Sequence, residues 1–131
     1  MPSLLRLLRL LRPLCSLRSL CLLCLLTAAC AVRAANPMPI VTRDGVRFSV
    51  DQPAAKSVAI SGTFNGWSAT SHPMTPDAAR TRWTVTVPLS PGEHLFMYVV
   101  DGAWVTPPQA ADFVDDGFGA RNGVVVVPPQ P

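Results

Sequence analysis

The chain has 131 residues, 49% of them hydrophobic and 15% charged, with 14 prolines and four cysteines. Its formal charge of +3 joins two unlike parts: residues 1–35 carry five arginines, no acid and all four cysteines, while residues 36–131 carry six basic residues against eight acids. The leader is thus +5 and the body −2, so the basic total does not mark a nucleic-acid surface, and the 96 residues of the body suffice for one small domain.

Residues 1–35 read as a signal segment: a basic start, a leucine-rich middle and a small-residue end. The uncharged run from Ser19 to Val32 is 14 residues, short of the roughly 20 a spanning helix needs. Cleavage after Ala31 or Ala34 satisfies the small-x-small pattern. Leu26-Thr-Ala-Ala-Cys30 is also similar to a bacterial lipoprotein signal, with Thr27 where leucine is usual, which makes Cys30 a candidate lipidation site. An amphipathic surface helix is a further option. Cys21 and Cys24 have the spacing of a redox or metal pair, but their leucine-rich setting argues for hydrophobic filler. The expectation is an exported protein: periplasmic, at the cell surface, or lipid-anchored.

Residues 36–45 read as a short linker and lead-in. Val46, Phe48 and Val50 alternate with polar residues as a half-buried strand does, and Ser57 to Ser61 gives a second strand. Gly62-Thr-Phe-Asn-Gly-Trp67 breaks that period with two glycines, which puts Phe64 and Trp67 on a loop. A polar, proline-bearing stretch to Arg80 follows, with Met74 as its apolar anchor. Trp83, Val85 and Val87 mark a third strand. His94-Leu-Phe-Met-Tyr-Val-Val100 is a strand with apolar residues on both faces. Asp101-Gly102 then signals a type I′ hairpin turn, because both central positions need positive φ. Trp104-Val105 begins the return strand, ended by Pro107-Pro108. Gln109 to Gly119 reads as an irregular acidic loop, Asn122 to Val127 as a last strand, and residues 128–131 as a disordered tail. About seven short strands without helical period predict an all-β sandwich of antiparallel strands, of immunoglobulin-like size, over residues 46–127.

Catalytic inventory is thin. His72 falls in a polar loop and His94 at a strand edge. Asp112, Asp115 and Asp116 match no calcium-loop spacing and read as solvated loop acids, with Asp115 or Asp116 capping loop amides. The tryptophans stand out. Trp83, in phase with Val85 and Val87, is the core candidate. Trp67 and Trp104 sit where a core plug is less natural, leaving three readings: a sugar platform, partly exposed structural rings, or a protein-contact patch.

In their order along the chain, Ser61-Gly-Thr-Phe-Asn-Gly-Trp67, Met74, Trp83, Leu89-Ser-Pro-Gly-Glu-His94, Val100-Asp-Gly-Ala-Trp104 and Asp115-Asp-Gly-Phe-Gly-Ala-Arg-Asn122 closely resemble carbohydrate-binding module family 48. This is the glycogen-binding domain of the AMP-activated kinase beta subunit and of branching and debranching enzymes. The likeness runs from about Val46 to Val127. It implies an early-set immunoglobulin-like fold and non-catalytic binding of α-glucan (glycogen, starch or maltooligosaccharide), with no cofactor. By the same resemblance Trp67 and Trp104 would stack on the glucan, Asn122 would bond its hydroxyls, and Phe118 would replace a leucine that wedges into the glucan bend. Met97 stands where the family has a sugar-contacting lysine, and Ala120 replaces a threonine. An envelope protein-interaction or structural module that keeps the fold without the sugar is the alternative, and membrane contact would come only through the leader.

Overall fold

The computed structural model describes residues 38–131. The leader, with Cys30 and both candidate cleavage sites, lies outside the described residues. The described chain forms strands β1 (Ile40–Thr42), β2 (Gly45–Asp51), β3 (Val58–Gly62), β4 (Thr75–Pro76), β5 (Arg82–Val87), β6 (Gly92–Val100), β7 (Ala103–Val105), β8 (Asp112–Asp115) and β9 (Arg121–Val127), with one 3-10 turn at Thr63–Asn65. They make two antiparallel sheets in a sandwich-like arrangement. One has the order β1-β2-β5-β4; the other has the order β3-β6-β9-β8, with β7 also paired to β6.

Period-two patterning places the core. On the first sheet Val46, Phe48 and Val50 of β2 lie across from Val87, Val85 and Trp83 of β5. The second contributes Val58, Ile60, Phe96, Tyr98, Val125 and Val127, and together these residues form one buried cluster, with Val85 partly buried against it. Phe48 meets Phe96 edge-on across the core, with centroids 4.9 Å apart at 60°, a geometry favoured by the ring quadrupoles. Trp83 is buried as expected, and its indole N–H donates to the Gln52 carbonyl at 3.1 Å. The buried Tyr98 hydroxyl donates to the Ser49 carbonyl at 3.1 Å, tying one sheet to the other, and burial raises the Tyr98 phenol above its ordinary range.

Strand β6 is covered on both faces, as its sequence implies. Phe96 and Tyr98 join the core, whereas Met97 and Val99 alternate onto the outer face and are still buried. The β6–β7 turn has Asp101 at φ 49° and Gly102 at φ 83°, the left-handed pair expected from Asp-Gly.

Three strands depart from the sequence reading. β1 lies within the stretch read as lead-in and pairs with β2 through Ile40↔Arg47 and Thr42↔Gly45. β4 occupies two residues of the polar stretch after Trp67. β8 occupies part of the supposed acidic loop and pairs with β9 through Asp115↔Arg121 and Phe113↔Gly123. All three lie at sheet ends and lack a buried face, so backbone pairing holds them without an apolar alternation to announce them.

Candidate functional site

The outer face of β3, β6 and β9 carries two ring-bearing structures. The first is the loop after β3. Asn65 folds back so that its Oδ1 accepts the Gly62 N–H at 3.0 Å and its Nδ2 donates to the Ile60 carbonyl at 3.2 Å. The same Nδ2 lies 3.0 Å from His72 Nδ1, so that ring nitrogen accepts and the imidazole proton sits on Nε2. The Trp67 N–H then closes on the Gly62 carbonyl at 2.9 Å. Gly66 and Trp67 are consecutive left-handed residues, at φ 62° and 60°. For a bulky residue this costs about 1–2 kcal/mol, offset here by the Asn65 bonds. Gly62 has to be glycine, since a Cβ would strike the Leu95 carbonyl and the Phe64 ring. His72 also meets Phe64 edge-on at 5.9 Å, which makes it loop scaffold.

The second structure is the β6–β7 hairpin. Asp101 Oδ1 accepts the Lys56 and Ser57 N–H groups, each at 2.9 Å, and the Asp101 N–H donates to the Ser57 carbonyl at 2.9 Å. The Ser57 and Lys56 backbone bonds hold the Asp101 carboxyl below its usual range. The turn is thereby fastened to the chain entering β3, and Trp104, opposite Val99 in the ladder, is carried on a fixed edge. Trp67 is 36% and Trp104 48% exposed. Their ring centroids stand 6.4 Å apart with planes inclined at 51°. Both indoles therefore face the same open space.

That space is a groove of about 540 Å³ lined by Trp67, Met97, Trp104, Asp116, Phe118, Ala120 and Asn122. Met97 lies opposite Ser61 on β3, and Asn122 precedes Gly123, the β9 partner of Phe96. Gly123 lacks a Cβ because the Pro107 and Phe96 side chains would stand 2.9 and 3.0 Å from it. The far wall is the loop before β9. Asp116 Oδ1 accepts the Phe118 N–H at 2.7 Å and the Ala120 N–H at 3.0 Å, while Gly117 and Gly119 take φ 81° and 100°. This clip presents Phe118 almost bare to solvent, at 96% exposure.

The four residues to which the resemblance gives sugar contacts, Trp67, Trp104, Phe118 and Asn122, and the two substituted positions, Met97 and Ala120, thus line one groove. Asp116 is the member that sequence reasoning missed as a wall residue, although a capping role was expected of it or of Asp115; its signal was the Asp-Gly-Phe-Gly spacing. His94 Nε2 lies 2.8 Å from the Ser90 carbonyl, outside the groove. Arg121 places its guanidinium 4.7 Å over the Phe113 ring and does not line the groove either. Among the described residues, no group of three or more His, Cys, Asp or Glu is placed to hold a metal ion.

Residues 46–131 match the family described as the glycogen recognition site of AMP-activated protein kinase. The chain is 40% identical over 70 residues to a 1,4-alpha-glucan branching enzyme of Pseudomonas syringae pv. tomato, covering 53% of this chain and 9% of the enzyme. It is 38% identical over 69 residues to one from Rhizobium johnstonii, covering 52% and 9%. With one from Mycobacterium ulcerans it shares 34% over 100 residues, covering 73% and 13%. The chain thus spans about a tenth of the length of these curated relatives. It corresponds to their small binding module and not to their catalytic domain.

These matches correct one expectation. The leader pointed to a periplasmic, surface or lipid-anchored protein, but the relatives are cytoplasmic bacterial branching enzymes. That expectation rested on the leucine and arginine pattern of residues outside both the described chain and the matched span. The envelope-partner alternative drew on export and loses that support.

Proposed function

The chain belongs to the family described as the glycogen recognition site of AMP-activated protein kinase, a non-catalytic glycogen- and starch-binding module, and we propose that the groove between Trp67 and Trp104 is where it takes the glucan. The observation that carries this is the pairing of two exposed indoles, 6.4 Å apart and inclined at 51°. An indole packs against the apolar C–H face of a pyranose, which leaves the ring hydroxyls to polar neighbours. Two inclined faces suit sugars that turn from one to the next, as in an α-1,4-linked chain, better than a flat ribbon.

The resemblance gives the remaining wall residues their roles, and their place in the groove supports it. Asn122 offers an amide to sugar hydroxyls. Phe118, held out on its clipped loop, enters the bend of the glucan. Met97 and Ala120 add no polar contact. At roughly 1 kcal/mol for each absent hydrogen bond, the affinity falls about one to two orders of magnitude below that of a site with both. We assign the fold to the immunoglobulin-like sandwiches of the early set, in keeping with two antiparallel sheets packed over a single core.

Intrinsic fluorescence tests the proposal. Titration with maltoheptaose is expected to give a saturable change in tryptophan emission, and cellohexaose at the same concentration no saturable change. Silence toward both, or an equal response to both, would overturn it.

A further inference from the structure

Among the described residues, Asp116 is the one charged side chain lining the groove. Its Oδ1 is taken by two loop amides, whereas its Oδ2 has no hydrogen-bond partner among the described residues. Arg121, the nearest basic residue in sequence, makes no ion pair with it among the described residues; its guanidinium lies over the Phe113 ring and does not line the groove. Met97, which is buried, adds no cation. The polar rim of the groove is therefore an acceptor-only carboxylate beside the Asn122 amide.

We propose that Asp116 determines specificity within the glucan-binding reading, on which this inference rests: it accepts a hydroxyl of a neutral glucan and turns away glucan bearing phosphate or another anionic group. A carboxylate is a stronger acceptor than a neutral oxygen and has no proton to donate at neutral pH. It therefore rewards a sugar hydroxyl and opposes an anion. A phosphate monoester with about two charges, held about 5 Å away at the dielectric of water, binds on the order of tenfold more weakly at low salt. The penalty fades as salt screens it.

The experiment is calorimetric titration of the full chain with maltoheptaose and with maltoheptaose carrying a phosphate monoester, in about 0.02 M and about 0.5 M salt. Wild type is expected to prefer the neutral sugar by roughly tenfold at low salt and by less than about twofold at high salt. Asp116→Asn keeps an oxygen for the Phe118 and Ala120 amides, so the loop clip survives. It is expected to lose most of the low-salt preference and to bind the neutral sugar several-fold more weakly. Asp115→Asn removes the same charge one residue away, outside the groove lining, and is expected to keep the preference. Equal affinity of wild type for the two sugars, or the same ratio in both variants, would overturn the inference while leaving glucan binding intact. Failure of wild type to bind the neutral sugar would overturn both.

Discussion

Truncating Trp104 removes half of the platform with little disturbance to the fold. The residue is 48% exposed in the free protein, so of a side chain of up to ~250 Å², about 120 Å² is open to a ligand. A pyranose seated on one face covers about half of that and hides a similar area of its own. Some 120 Å² removed from water at ~25 cal/mol per Å² gives an upper figure of about 3 kcal/mol. Ordering the sugar on the surface takes back part of it, and a net loss of about 1.5–2 kcal/mol, or 10- to 30-fold, is expected for Trp104→Ala. Strand β7 lies outside the main strand order and Trp104 is no part of the buried cluster. Unfolding in urea should therefore change by less than about 1 kcal/mol. Calorimetry with maltoheptaose, run beside urea melts, separates the two effects. A Trp104→Ala protein that folds normally and binds within twofold of wild type would refute the reasoning.

Three further outcomes follow from the geometry. Tyr98→Phe deletes the hydroxyl that joins the two sheets and is expected to cost about 1 kcal/mol, seen as a lower urea midpoint; an unchanged midpoint would contradict that role. The Asp101 carboxyl, held below its usual range by the Ser57 and Lys56 amides, contributes stability that is complete above its unfolded value and lost as pH falls through the lower folded one. Asp101→Asn keeps the left-handed turn and an acceptor oxygen, so its melting midpoint should trail wild type near neutrality and converge with it toward about pH 2; a gap independent of pH would argue against the ionised clip. Met97→Lys sends an ammonium along the path of the methionine stem toward the groove. It is expected to tighten maltoheptaose binding by about tenfold through a charge-assisted hydrogen bond, and weaker or unchanged binding would show that the groove does not admit the contact.

Most of the sandwich was legible because its central strands each bury a face. The alternation through Val46, Phe48 and Val50, or through Trp83, Val85 and Val87, has no other economical reading, and Asp101-Gly102 fixes the hairpin by its demand for positive φ. Strands β1, β4 and β8 escaped because they are short, lie at sheet ends and have little burial. Asp112-Phe-Val-Asp115 looked like a loop because acidic residues usually mark one, yet here they stand on the solvated rim of a ladder with β9. The site was legible through motif order more than through pattern. Composition left Trp67 and Trp104 open to three readings, and the likeness to a known module chose among them. What no pattern announced was the backbone of Trp67, a bulky residue in left-handed conformation held by the Asn65 side chain. Nor did the sequence announce that the acid capping the Phe118 loop also walls the groove. Both depend on where a loop folds back onto a sheet.

The most direct measurement is a nuclear Overhauser experiment on the chain saturated with maltoheptaose. Cross-peaks from the apolar ring protons of glucose to the indole protons of both Trp67 and Trp104 are predicted in the same complex, joined by contacts to the Phe118 ring. Contacts to one indole alone, or a sugar seated on the opposite sheet, would contradict the account.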